Sequence, residues 1–273
     1  HFLDSGPASD ALFVFPRKSV WIQHEGGRPF VADPNTVTYY NKGQRYRRQP
    51  LSSVGDHGEW FAVAPEAIAD TLAAHDPAAM DRLDLPFRFT HGPSDPDSYL
   101  RQRLVFEHVS REAAPDQLYV EEGVLSVLGH VTRLAYQRGG SRTVPRHRRR
   151  NEVDSVEAAR DVIVRRYREN LSLSQIAREV GASVFHLSRV FHARTGFSLH
   201  AYRNQLRLRA ALERLAERDA DLTGIAVDLG YDSIPGAAVN RQCASSLAAI
   251  AFGAGQIAAG MSSHLLAGGM ESL

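Results

Sequence analysis

Ser174-Gln-Ile-Ala-Arg-Glu-Val180, then Gly181-Ala-Ser183, then Val184-Phe-His-Leu-Ser-Arg-Val-Phe-His192 form one continuous stretch of the 273-residue chain. The first piece reads as a short helix with Ile176, Ala177 and Val180 on its inner side. Gly181 supplies the positive φ that a sharp turn needs, and Ser183 is a good N-cap for the helix that follows. In that helix Val184, Leu187 and Phe191 fall at i, i+3 and i+7, one face that would pack inward. Phe185, Ser188, Arg189 and His192 share the opposite face. A tight hairpin of helices whose second member shows mixed polar and aromatic groups outward fits the major groove of DNA. Arg189 can bridge guanine O6 and N7, Phe185 can touch a thymine methyl, Ser188 can donate or accept, and His192 suits a phosphate.

The charge distribution around this stretch agrees with that reading. The net charge of +1 conceals a segregation: residues 1–137 carry 13 Lys+Arg against 18 Asp+Glu, residues 138–219 carry 18 against 9, and residues 220–273 carry 1 against 4. A basic middle between acidic flanks is expected of a nucleic-acid-binding module joined to something else, although a solvated helix face gives the same balance. Arg138 to Asn151, with Gly139-Gly140, Pro145 and six arginines but no acid, reads as a linker able to lie near phosphates. Lys18 and Lys42 are the only lysines, so the basic residues are almost all arginine. The lone Cys243 rules out an intrachain disulfide and is compatible with a reducing cytoplasm. No signal peptide is visible, and the Ala- and Gly-rich run from Ser246 to Met261 is too short for a good membrane span.

Taken together, Ser183-x-x-His186-Leu187-Ser188-Arg189-x-Phe191, Gly196-Phe-Ser198, Tyr202, Leu206-Arg-Leu208 and Ala211-Leu212 resemble the AraC/XylS family of regulators. The resemblance implies two helix-turn-helix units joined by a long helix, here about residues 199–216, that set two recognition helices into successive major grooves. It further implies that residues 1–137 are a cupin-like sensing and dimerising domain.

Read on their own residues, positions 11–64 look like short strands. Ala11–Phe15, Ser19–Glu25, Pro29–Ala32, Thr36–Asn41 and Glu59–Ala64 are rich in Val, Phe, Tyr and Trp, and most are separated by Gly, Pro and Asn turn chemistry. Short strands this close suggest a small barrel or sandwich. Helices are expected from Pro65 to His75, Pro96 to Ser110 and Asp116 to Gln137, the last with Leu118, Leu125, Leu128, Val131 and Ala135 on one apolar face. His24, His57, His75 and Glu59 lack the paired-histidine spacing of a metal cupin, so ordinary surface histidines are expected.

The second unit begins normally, with Leu222, Ile225, Ala226 and Leu229 inward and a turn at Gly230-Tyr-Asp-Ser233. Where a second recognition helix should follow, Pro235 and Gly236 interrupt it. Val239-Asn-Arg-Gln-Cys243-Ala-Ser-Ser-Leu247 and Leu266-Ala-Gly-Gly-Met-Glu-Ser272 are instead similar to the nucleophile region of thiolases. In that family the cysteine attacks an acyl-CoA, which would make Cys243 the nucleophile. The activating histidine, the second cysteine and the CoA-binding loops of a thiolase have no counterpart here, so turnover is not expected.

The expected architecture is α+β: a cupin-like β-barrel with helices over 1–137, an Arg-rich linker over 138–150, an all-α helix-turn-helix domain over 151–233 with its second unit incomplete, and a short thiolase-like segment over 234–273. A start at His1 and a stop at Leu273 without a polar tail fit a fragment. The expected function is a cytoplasmic, non-enzymatic regulator that binds double-stranded DNA, with no cofactor, metal or membrane partner. A small-molecule effector in the N-terminal domain and a homodimer stay open. The alternative is a non-functional chimera or fragment, or the remnant of an acyl-CoA acetyltransferase around Cys243.

Overall fold

The computed structural model describes residues 2–51, 53, 55–139, 146–215 and 222–230. Eight strands form two four-stranded antiparallel sheets. One runs in the order β1 (Leu3–Pro7), β6 (Arg45–Pro50), β3 (Val20–His24), β4 (Phe30–Ala32). The other runs β7 (Gly58–Ala62), β2 (Leu12–Pro16), β5 (Thr36–Tyr40), β8 (His91–Pro93).

Side-chain alternation decides how the sheets are covered. Phe13, Phe15, Val37 and Tyr39 face a core built with Ile68 and Leu72 of α1 (Pro65–Ala73), Val105 of α2 (Pro96–Arg111), and Val127, Leu128 and Val131 of α3 (Gln117–Gly139). Leu12, Val14 and Tyr40, one residue out of phase, face Val20, Ile22, Phe30 and Ala32 of the other sheet. β5, inside the second sheet, is therefore covered on both faces, and all five of its residues are buried.

Helix ends follow local chemistry. Pro65 occupies the first turn of α1. Asp95 caps α2 by accepting from Ser98 N at 2.8 Å. Two close approaches set the helix packing: a Cβ on Gly123 would sit 2.6 Å from Val105 Cγ2, and one on Gly92 3.0 Å from the Ala135 methyl.

The expected strands and the three helices of this half are present with small shifts in their ends. β1, β6, β8 and the 3₁₀ turn Pro77–Asp81 were not expected. β6 reads Arg-Tyr-Arg-Arg-Gln-Pro and carries no buried residue, so it lacks the apolar alternation that announces a strand. The apolar face expected of α3 also needs correction. Leu128, Val131 and Ala135 are buried, whereas Leu118 and Leu125 are 64% and 42% exposed. In this 23-residue helix Val120 and Val124 pack against the core beside Val127, Leu128 and Val131, and Leu118 and Leu125 lie off that stripe.

Residues 146–150, expected within the linker, begin α4 (Arg146–Arg166). Three further helices follow: α5 (Leu173–Glu179), α6 (Val184–Thr195) and α7 (Leu199–Leu215). By compactness the chain divides within α7, between Leu206 and Arg207. In the second unit α8 (Leu222–Asp228) buries Ile225 and Ala226, with Leu229 just beyond it, and the turn at Gly230 has φ +81°. Arg207 Nη1 donates to the Gly230 carbonyl at 3.0 Å. The interrupted stretch at Pro235-Gly236, Cys243 and the whole thiolase-like segment lie outside the described residues.

Candidate nucleic-acid interface

The helical part of the first unit is held by one apolar cluster. Val156, Ala159 and Ile163 of α4, Ile176 and Ala177 of α5, Leu187, Val190 and Phe191 of α6, and Leu199, Tyr202 and Leu206 of α7 meet in it. Each large apolar side chain buried there contributes roughly 1.5–3 kcal/mol. Phe191 and Tyr202 pack edge to face at 5.3 Å.

The caps define the hairpin. Ser172 and Gln175 form a reciprocal capping box at the start of α5. Gly181 has φ +67°, and Ala182 N donates to the Ala177 carbonyl at 2.9 Å, closing the turn. Ser183 Oγ accepts from His186 N at 3.3 Å, as expected of the N-cap. Gly196 ends α6 in the left-handed region, donating to the His192 carbonyl at 2.8 Å.

This packing turns one face of α6 to solvent. Phe185 is 80% exposed, Arg189 and His192 are exposed, and Ser188 is half-buried. The structure thus brings the four expected side chains together on one face, spanning two turns. Val184 is a correction: expected inward, it is 44% exposed, because it sits in the first turn, and Val190 fills the core in its place. An aromatic ring left in water at the N-terminal end of a helix, beside a guanidinium, can contact base edges and methyl groups.

A groove of about 630 Å³ is lined by Trp21 and Arg28 of the β-half and by Asp154, Glu157, Asp161 and Glu179 of α4 and α5. Each carboxylate is paired with an arginine: Asp154 with Arg28, Glu157 with Arg160, Asp161 with Arg165 and Glu179 with Arg166.

Beside that groove the β-half is fastened to the helices by a buried arginine that sequence reasoning missed. Arg160 Nε donates to Tyr202 Oη at 2.9 Å, Nη1 to Glu157 at 3.0 and 3.1 Å, and Nη2 to Asp33 Oδ2 at 3.2 Å, Thr36 Oγ1 at 2.6 Å and the Val31 carbonyl. Glu157 Oε2 accepts from Val31 N at 2.8 Å, Tyr202 Oη donates to Asp33, and Asn35 Nδ2 donates to the Tyr202 carbonyl at 3.1 Å. Val31 itself joins the helical cluster, its neighbours Phe30 and Ala32 pointing the other way between the sheets. Burial opposes the guanidinium charge, but Glu157, Tyr202 and Asp33 raise the Arg160 pKa well above its ordinary value. No spacing in the sequence announces partners some 124 to 129 residues apart.

The histidines are not all on the surface. His24 is 2% exposed among Phe30, Tyr40 and Tyr46, contacts Gln44 Nε2 through Nδ1 at 2.9 Å, and burial lowers its pKa to about 4. Burial likewise lowers His91 to about 3, with Arg160 nearby reinforcing the shift. Glu59 is held by Arg17 at 2.6 Å, Arg103 at 2.7 Å and Gln102. Among the described residues no three His, Cys, Asp or Glu side chains gather as a metal site, and no helix is long and apolar enough to cross a membrane.

Comparison with known proteins agrees with this geometry over part of the chain. Residues 176–238 match the family model of a helix-turn-helix domain, and residues 216–273 match that of the thiolase N-terminal domain. The two matches overlap over 216–238, which brackets the stretch where the sequence departs from a second recognition helix. An uncharacterized HTH-type transcriptional regulator of Staphylococcus aureus (strain COL) is 30% identical over 135 residues, covering 48% of this chain and 17% of the relative. The chain thus matches less than a fifth of that relative's length. Among solved structures, ToxT from Vibrio cholerae O395 aligns with a TM-score of 0.34 and 10% identity, covering 85% of this chain and 84% of its own. The AraC-like transcriptional activator CuxR aligns with a TM-score of 0.32 and 15% identity, covering 82% and 73%.

Proposed function

We propose that this chain is a sequence-specific DNA-binding transcription regulator of the AraC type. The observation that carries this reading is the outward face of α6, with Phe185, Ser188, Arg189 and His192 together on a rigid three-helix base. The helix-turn-helix match over 176–238 and the likeness to a curated regulator support it. Arg189 reads guanine, Phe185 a thymine methyl, Ser188 a base edge, and His192 a phosphate.

In this reading residues 1–137 are a cupin-like sensing domain, 138–145 an Arg-rich stretch near phosphates, 146–233 the reading domain, which starts with α4, and 234–273 a thiolase-like appendage. A small-molecule effector would act through the first domain. Leu100, Leu104, Leu118 and Leu125, all exposed on α2 and α3, are candidates for a homodimer face. With Pro235 and Gly236 where a second recognition helix is needed, base contacts are lost, and each costs about 1–3 kcal/mol of specific binding.

The test is selection of bound sequences from a random duplex library, followed by titration of the winner and of random DNA. Wild type should favour the winner, and Arg189→Ala should lose that preference while binding random DNA almost as before. Equal losses on both DNAs would remove Arg189 from base reading.

A second reading is favoured by the thiolase match over 216–273: a chimera in which Cys243 is a stranded nucleophile. Acyl transfer from an acyl-CoA to Cys243 would support an enzyme remnant. Light scattering that disappears on trimming the chain at Ser233 would support an aggregating, non-functional tail. One unbroken DNA molecule carrying the codons from Leu229 to Cys243 would establish the fusion as real.

A further inference from the structure

Arg189 does not stand alone on the reading face. Its Nη2 lies 4.0 Å from Oε1 of Glu152, on the first part of α4. The two side chains differ in environment. Arg189 is 52% exposed, whereas Glu152 is 19% exposed, drawn against α6 although its neighbours Asn151 and Asp154 are exposed. His186, one turn before Arg189 on the same side of α6, lines a depression with Asn151, Asp154 and Ser155 of α4. The N-terminal part of α4 therefore flanks the reading face along the side that carries Arg189.

A carboxylate at the edge of a surface that meets phosphates weakens binding to any duplex. It can raise discrimination only by acting on a neighbour that reads bases. A guanidinium on a long side chain loses rotamer freedom when it reads guanine, and a fixed anion on one flank limits that freedom beforehand. The Nη2 edge turned to Glu152 leaves the remaining donors of the fork for O6 and N7.

We infer that Glu152 is a positioning residue, which orients Arg189 for guanine and lowers affinity for non-cognate duplex. This rests on the reading of Arg189 as a base-contacting residue. Glu152→Gln keeps an acceptor oxygen and removes the charge, whereas Glu152→Ala removes both.

The experiment selects bound sequences from a random duplex library with the full chain as wild type, E152Q, E152A, R189A and the E152A/R189A double variant. Affinity for random duplex is measured alongside, by fluorescence anisotropy at fixed salt. R189A should abolish the guanine preference at one position of the site. E152A should reduce the preference at that same position by about tenfold, E152Q by about threefold, and the double variant should match R189A alone. Affinity for random duplex should rise by the same factor in E152A and E152Q. Base preference unchanged in E152A, or reduced equally in both Glu152 variants, would overturn positioning and leave only a charge effect. If R189A alters no position, the base-reading role of Arg189 fails, and the inference falls with it.

Discussion

Replacing Arg160 by Ala should weaken the first unit more than any other single truncation in its helical part. The side chain is 5% exposed and donates to three side chains of the β-half and α7, to Glu157 of its own helix, and to a strand carbonyl. Its removal leaves Asp33, wholly buried, without a counter-charge, and Glu157 with only Val31 N among these partners. Breaking a buried pair in this way costs about 3–5 kcal/mol, because the stranded charge keeps its desolvation penalty. Against a total of about 5–15 kcal/mol for a folded domain, that is about a fifth of the stability or more.

Urea unfolding followed by tryptophan fluorescence suits the question. Trp21 sits at this contact, its Nε1 donating to Asp161 at 2.9 Å. A double-mutant cycle with Asp33→Ala separates the pair from mere loss of volume. The double variant should be more stable than the sum of the two single losses predicts, by about 1–3 kcal/mol. An Arg160→Ala loss below about 1 kcal/mol, or strict additivity with Asp33→Ala, would refute the assignment of this cluster as the fastening between the β-half and the helices.

Other outcomes follow from single features. Gly181→Ala should cost about 1–2 kcal/mol, since φ +67° strains any L side chain although nothing lies within 4 Å of the new methyl; a thermal melt checks it. His24, lowered from 6.5 to about 4 by burial, takes up its proton more readily when unfolded. Its contribution is therefore complete above about pH 6.5 and is lost as pH falls from there toward about 4. His24→Phe should flatten that part of the stability profile, and an unchanged acid limb would show that other groups dominate. Ser183→Ala should lower stability by about 1 kcal/mol through loss of the α6 cap, read from the midpoint of urea unfolding.

The stretch from Ser174 to His192 was legible because its determinants are local. A helix period, a glycine at a turn and a serine cap depend on residues a few positions apart, and they fixed which side of α6 is free. Alternation did the same for β2 and β3, whose neighbours in sequence point to opposite faces. Local pattern failed where an element takes its place from distant partners. β6 is a strand because β1 and β3 pair with it on either side, not because its arginines favour one. Leu118, Leu125 and Leu128 recur at helical spacing, but only packing against the rest of the fold decides that the covered stripe runs through Val124, Leu128 and Val131 and leaves Leu118 and Leu125 outside it.

The sequence by itself determined helix α6 and three of the side chains it turns fully outward, Phe185, Arg189 and His192. Tertiary structure alone decided that Arg160 is buried against Asp33 and Tyr202, and that Glu152 stands beside Arg189. The physical reason is that a charged side chain carries no signature of burial in its own neighbourhood. Its desolvation is compensated by groups from elsewhere in the chain, and only folding brings those groups to it.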